Sequence, residues 1–98
     1  AIVTEYVEDF DVRSRHYSGF YHGASLAALN KLAREKGYRL VGCESAGVNA
    51  FFVREDLLGP KLQPLTPEEA YFPHFFRSRS MPVDQQWRMI ATLPFREV

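Results

Sequence analysis

Two histidines, His16 and His22, share one short stretch with Tyr17 and Tyr21, downstream of Glu8, Asp9 and Asp11. Imidazoles near carboxylates can ligate a metal or shuttle protons. The histidine spacing is not the i, i+4 of a helical ligand pair, and no dedicated motif surrounds it. Metal binding, a substrate-facing aromatic loop and plain loop packing all fit the stretch; packing is the simplest, and no metal site is assigned. Glu5 and Tyr6 end an apolar run. Ligands of open α/β sheets collect at the carboxyl ends of strands, so both are candidate ligand-facing residues; the bland alternative is a solvated carboxylate. Gly23-Ala24-Ser25 precedes a helix, where free amides can hold an anion or be capped by Ser25 itself. Cys43 is the only cysteine. It reads as a buried small hydrophobe rather than a nucleophile, which needs exposure and a base. Ser45, Gly47 and Asn49 have turn chemistry, with Asn49 also able to face a cleft. Phe72, Phe75, Phe76, Arg77 and Arg79 mix base-stacking and phosphate-binding types, but also suit an aromatic tail packed over a sheet. No catalytic residue is assigned.

These residues need elements to position them, and the strongest local order runs from Gly23 to Asp56. Ser25 is a helix N-cap. Leu26, Leu29, Leu32 and Ala33, with Ala28 at the margin, share one arc. Gly37 fits the left-handed helix stop. Arg39–Glu44 reads as a strand whose apolar residues do not alternate, which suggests burial on both faces. Ser45-Ala46-Gly47 turns the chain into a second strand, Asn49–Arg54, which so short a link forces to be antiparallel. Ahead of this unit, Ala1–Tyr6 reads as a strand and Val7–His22 as a long connection. Behind it, Thr66-Pro67-Glu68-Glu69 is a capped helix start, and Pro73 stops that helix. Asp84 is a cap for a last helix near Gln85–Leu93, and Leu93–Val98 is a short terminal strand.

The chain has 98 residues, one small domain's worth, with 12 basic and 12 acidic residues. A net charge of zero gives no electrostatic footprint for nucleic acid or a membrane surface, and it eases self-association. A lone cysteine forms no intrachain disulfide and suits a reducing cytoplasm. There is no run long and apolar enough to read as a membrane span, and no basic start leads into an apolar run as in a signal peptide. The sequence opens on Ala1, which fits a fragment, a processed product or an edited sequence.

The order helix, strand, antiparallel strand with an aromatic centre resembles the C-terminal pattern of class I methyltransferases. The segment YHGASLAALNKLAREKGYRLVGCESAGVNAFFVRED, with HYSG upstream and FFRSR and LPF downstream, is similar to the C-terminal portion of a bacterial, uncharacterised group of S-adenosylmethionine-dependent methyltransferase-like proteins. The resemblance covers most of the chain. It implies a Rossmann-like fold and, for the full-length family, S-adenosylmethionine as cofactor. No strand here is followed by the glycine-rich loop that holds that cofactor, so the resemblance implies no cofactor-binding residue in this chain.

The expected fold is therefore a single small α/β domain over 1–98: a β-α-β-β core over 1–56 and a Pro-rich, short-helical tail over 57–98. Its three-stranded mixed sheet would set Ala1–Tyr6 parallel to the Arg39–Glu44 strand, with Asn49–Arg54 between them. The outer edge of Ala1–Tyr6, through Ile2 and Val3, would be open and apolar, a template for a second copy or another chain. Three functions follow from this: a non-catalytic fragment or remnant of a methyltransferase-like protein, an assembly module acting by oligomerisation, or a small enzyme built on the His16/His22 loop.

Overall fold

The computed structural model describes residues 1–9 and 11–98. Phe10, one of the aromatics in the connection read over Val7–His22, lies outside them. In chain order the elements are β1 (Ile2–Val3), α1 (Val12–Arg15), α2 (Leu26–Glu35), β2 (Tyr38–Cys43), β3 (Ala50–Arg54), a 3-10 turn (Glu55–Leu57), α3 (Pro67–Ala70), α4 (Phe75–Ser78), α5 (Val83–Ile90) and β4 (Arg96–Glu97). The molecule is a small α/β protein. No helix among the described residues is long and apolar enough to cross a membrane.

The central unit forms for the reasons its sequence states. The Ser25 hydroxyl accepts from the Ala28 N–H at 3.2 Å and opens α2. Gly37, at φ +81°, closes it, donating its N–H to Arg34; a Cβ would disfavour that backbone. β2 and β3 then pair antiparallel, Tyr38 opposite Arg54 and Cys43 opposite Ala50. The register shifts between Leu40, opposite Phe52, and Gly42, opposite Phe51. That bulge at Val41 explains why β2 does not alternate. Burial on both faces, the expected cause, is not what is found: Leu40 is fully buried, while Val41 and Cys43 are half-buried.

The expected three-stranded sheet is not formed. Two separate two-stranded antiparallel sheets stand in its place, β1 with β4 and β2 with β3. Ile2 pairs with Glu97 and Val3 with Arg96. The opposite side of β1 is taken as well. Ile2 accepts from the Ser25 N–H, Thr4 donates to Gly23, and the Ile2 N–H reaches the Ser25 hydroxyl at 3.1 Å. With both sides bonded, β1 is neither a neighbour of β3 nor the open edge expected of Ala1–Tyr6. Its extent shrinks to Ile2–Val3 because Glu5 and Tyr6 run out into solvent.

The tail is tied down at several points. Leu65 donates to Leu40 along the outer side of β2. Thr66 and Glu69 form the full capping box that opens α3. Phe75 donates to the Ala46 carbonyl at the hairpin turn, and Gly47 at φ +70° sits against the Pro73 backbone with no room for a Cβ. The last helix starts at Val83, directly after Pro82, so Asp84 is not its cap; it lies in the first turn and pairs with Arg88 one turn on, at 3.4 Å. A second packing centre gathers the ends of the chain. Tyr21 is buried, donates its hydroxyl to the Pro94 carbonyl and meets Phe95 edge-on. Trp87 of α5 packs on the same Phe95.

Candidate functional site

The sequence-derived candidates do not converge. Glu5 and Tyr6 line a shallow hollow with Val3, Thr4 and Arg96, and Tyr6 is 89% exposed. The His16 ring is held in a local turn. Its Nδ1 accepts from the Ser18 N–H at 3.3 Å and lies 2.7 Å from the Ser18 hydroxyl, which in turn accepts from Phe20. A serine against an imidazole is half of a nucleophile–base pair. Here no carboxylate orients the ring among the described residues, and the hydroxyl is spent on turn formation. Tyr17 stacks beside His16, 82% exposed.

His22 is drawn elsewhere. Its Nε2 accepts from the Arg77 guanidinium at 3.0 Å. Partial desolvation, and then the Arg77 charge, hold its pKa below the ordinary imidazole value, so the neutral ring is favoured. Arg77 also lies over the Phe20 ring. The loop histidine and the basic, aromatic tail, separate in the sequence, thus meet in one cluster. His74 is spent within that tail, its Nδ1 accepting from the Arg77 N–H to open α4. No group of His, Cys, Asp and Glu among the described residues has the geometry to hold a metal.

Ser25 fills the N-terminus of α2, so the Gly23-Ala24-Ser25 segment is a capping structure. Asn49 donates to the Glu44 carboxylate at 2.9 Å across the hairpin turn. It also stands at the rim of a hollow of about 240 Å³ between α2 and the hairpin, whose apolar wall includes Leu26, Leu29, Cys43, Ala50 and Phe72. Burial pushes the Cys43 thiol up in pKa, away from a reactive thiolate.

What the arrangement does offer is unpartnered apolar surface. α2 buries Ala28 but leaves Leu29 42% and Leu32 49% exposed. The arc expected to face a core is therefore half covered, because α2 packs chiefly on β2 and not centrally over the β2–β3 pair. Leu29 and Leu32 wall a groove of about 300 Å³ with Val3, Ala28 and Val98, with Lys31 and Glu35 at its rim. This groove and the hollow beside Ala50 share Ala24 and Leu29. Phe51 of β3 is 51% exposed. The chain exposes 7267 Å² in all, about 1,500 Å² more than the size scaling gives for a folded monomer of 11.3 kDa. Its radius of gyration is 14.8 Å, against about 12.6 Å expected for a compact domain of this length. Sequence reading missed this feature: the arc and the strand were visible, the missing cover was not.

Comparison with known proteins returned no matching family model, no matching curated protein and no matching solved structure.

Proposed function

We propose that the chain is the closing unit of a larger α/β sheet, a C-terminal fragment or remnant of a S-adenosylmethionine-dependent methyltransferase-like protein that is not catalytic alone. The observation that supports this reading is the uncovered underside of α2 beside a hairpin with a free outer strand. A helix and an antiparallel hairpin with an apolar flank are what remains when the other strands of a Rossmann-like sheet are supplied from elsewhere. The order of GASLAAL, GYRLVGC and GVNAFFVR carries the family part of the reading.

The residues present do not fit the cofactor. β1 leads into Glu5 and Tyr6 rather than a glycine-rich turn, and the α2 N-terminus is filled by the Ser25 hydroxyl. No step is therefore routed through S-adenosylmethionine, and the isolated chain is read as binding none. The lone Cys43 suits a reducing, cytoplasmic setting. Association through Ala1–Tyr6, with a second copy or another chain, would require Ile2–Val3 to leave β4 or the Gly23–Ser25 segment.

Calorimetry with S-adenosylmethionine is the test. The isolated chain should give no binding heat, and a polypeptide continuing upstream of Ala1 through a glycine-rich strand-loop-helix should bind. Micromolar binding by the 98-residue chain would overturn the methyltransferase reading, and an upstream reading frame with no such segment would exclude the fragment and leave the remnant. The second reading, an assembly module acting by oligomerisation, rests on the same exposed surface and survives that outcome.

A further inference from the structure

β3 pairs with β2 on one side only. Glu55 donates to the Gly37 carbonyl at 2.9 Å, and the Asn49 carbonyl accepts from Glu44 at 3.2 Å. Residues 49 and 55 therefore turn their backbone groups toward β2. Backbone direction alternates along an antiparallel strand, so Ala50, Phe52 and Arg54 turn theirs outward. Among the described residues nothing bonds to those outward N–H and C=O groups. Edge strands are ordinarily blunted by Pro, Lys or a covering element. This one carries neither Pro nor Lys, and its one charged side chain, Arg54, is held by Asp56 at 2.6 Å.

We propose that this edge pairs with the same edge of a second copy of the chain, antiparallel about a twofold axis through Phe52. The proposal rests on reading the hairpin as a sheet-closing unit, and it names the edge and the occupant. The strand is self-complementary in this register. Phe52 faces its own counterpart, and Ala50 faces Arg54 of the second copy, so every outward N–H and C=O finds a partner. No like charges are opposed. Phe51 comes opposite Val53 of the second copy, an aromatic–β-branched pair that stabilises antiparallel sheets. The axis stands perpendicular to the sheet, so both α2 helices lie on the same face. Leu26 and Leu29 line one hollow with Ala50, so the apolar side of α2, which packs on β2, faces this flank, and the two exposed Leu29–Leu32 faces turn toward the joined sheet. The surface excess is ample for this: a standard interface takes about 800 Å² from each partner. A net charge of zero sets no repulsion between copies.

Sedimentation velocity on the full chain, from low micromolar upward, should show a species of twice 11.3 kDa. Hydrogen exchange should show the Ala50, Phe52 and Arg54 amides gaining protection as dimer forms. Phe51→Lys alters a half-exposed side chain that the monomer tolerates, and the symmetry makes it act twice; the dimer dissociation constant should rise about a hundredfold or more. Ala50→Pro, which deletes an outward N–H alone, should weaken the dimer while the Glu55 amide, bonded to Gly37 across the hairpin, stays protected. A monomer at every concentration overturns the proposal. So does a dimer that ignores both substitutions or leaves those three amides unprotected. None of these readouts involves S-adenosylmethionine, so failure here and failure of the methyltransferase reading are separable.

Discussion

Replacing Ser25 by Ala should remove about 2 kcal/mol of stability, and the sum can be followed bond by bond. Ser25 Oγ accepts from the Ala28 N–H at 3.2 Å and from the Ile2 N–H at 3.1 Å. The first bond caps α2, and losing a serine cap costs about 1 kcal/mol. The second ties β1 to the helix, and a half-buried N–H left without its partner costs about 1 kcal/mol more. For a domain of this size the total corresponds to a fall in Tm of about 8–16 °C. Urea unfolding followed by circular dichroism reads the change, with the m-value unaltered. Ser25→Gly separates the two bonds, because a glycine cap loses only a few tenths of a kcal/mol; what remains is the Ile2 contribution. Exchange of the Ile2 amide should accelerate in both variants. A Ser25→Ala midpoint within about 0.5 kcal/mol of the parent, with the Ile2 amide unchanged, would refute the bridging role.

Gly47→Ala should cost about 3 kcal/mol or more, since it combines a left-handed backbone with a Cβ driven into the Pro73 carbonyl; the local readout is faster exchange of the Phe75 amide, which donates to Ala46, and an unaltered amide would refute it. His22 has a folded pKa held below its unfolded value, so between the two the unfolded chain binds more protons and stability rises with pH. Its contribution is complete above the unfolded imidazole value of about 6.5 and is lost as pH falls from there through the folded value; His22→Gln should flatten that part of the stability curve, and superimposable curves for parent and variant would refute the assignment.

What the sequence made legible was local. Ser25, Gly37 and the Thr66–Glu69 box act through bonds within a few residues, and each stands where its chemistry places it. The hairpin followed from a turn too short for any other direction. The pairing of β1 was not legible. Two residues of strand have no period, and their partner, Arg96–Glu97, is fixed by tertiary docking: the Tyr21 hydroxyl on Pro94 and the Phe95 ring between Tyr21 and Trp87. The Asp84 cap failed for a related reason. Pro82 sets the chain direction a residue earlier, and Val83 starts the helix without a side-chain cap. At the candidate sites, residue types were visible and partners were not. His22 read as a companion of His16, and the molecule gives it to Arg77, more than fifty positions away.

The apolar arc of α2 is only partly covered within the chain. A helix with its side chains is about 10–12 Å across, and neighbouring strands lie about 4.8 Å apart. Two strands, about 10 Å wide together, match one helix only when it sits centred on the pair, and α2 packs chiefly on β2. Ala28 sits over the hairpin and is buried, whereas Leu29 and Leu32 overhang it. Ile2–Val3 does not extend the hairpin, since β4 holds one side of it and Gly23–Ser25 the other. The overhang and the free edge of β3 fall on one flank, joined through Ala24 and Leu29. An isolated exposed leucine needs no explanation. Two on one helix face, beside an unblunted strand edge, form one continuous apolar flank, and the edge-to-edge dimer proposed above would cover it.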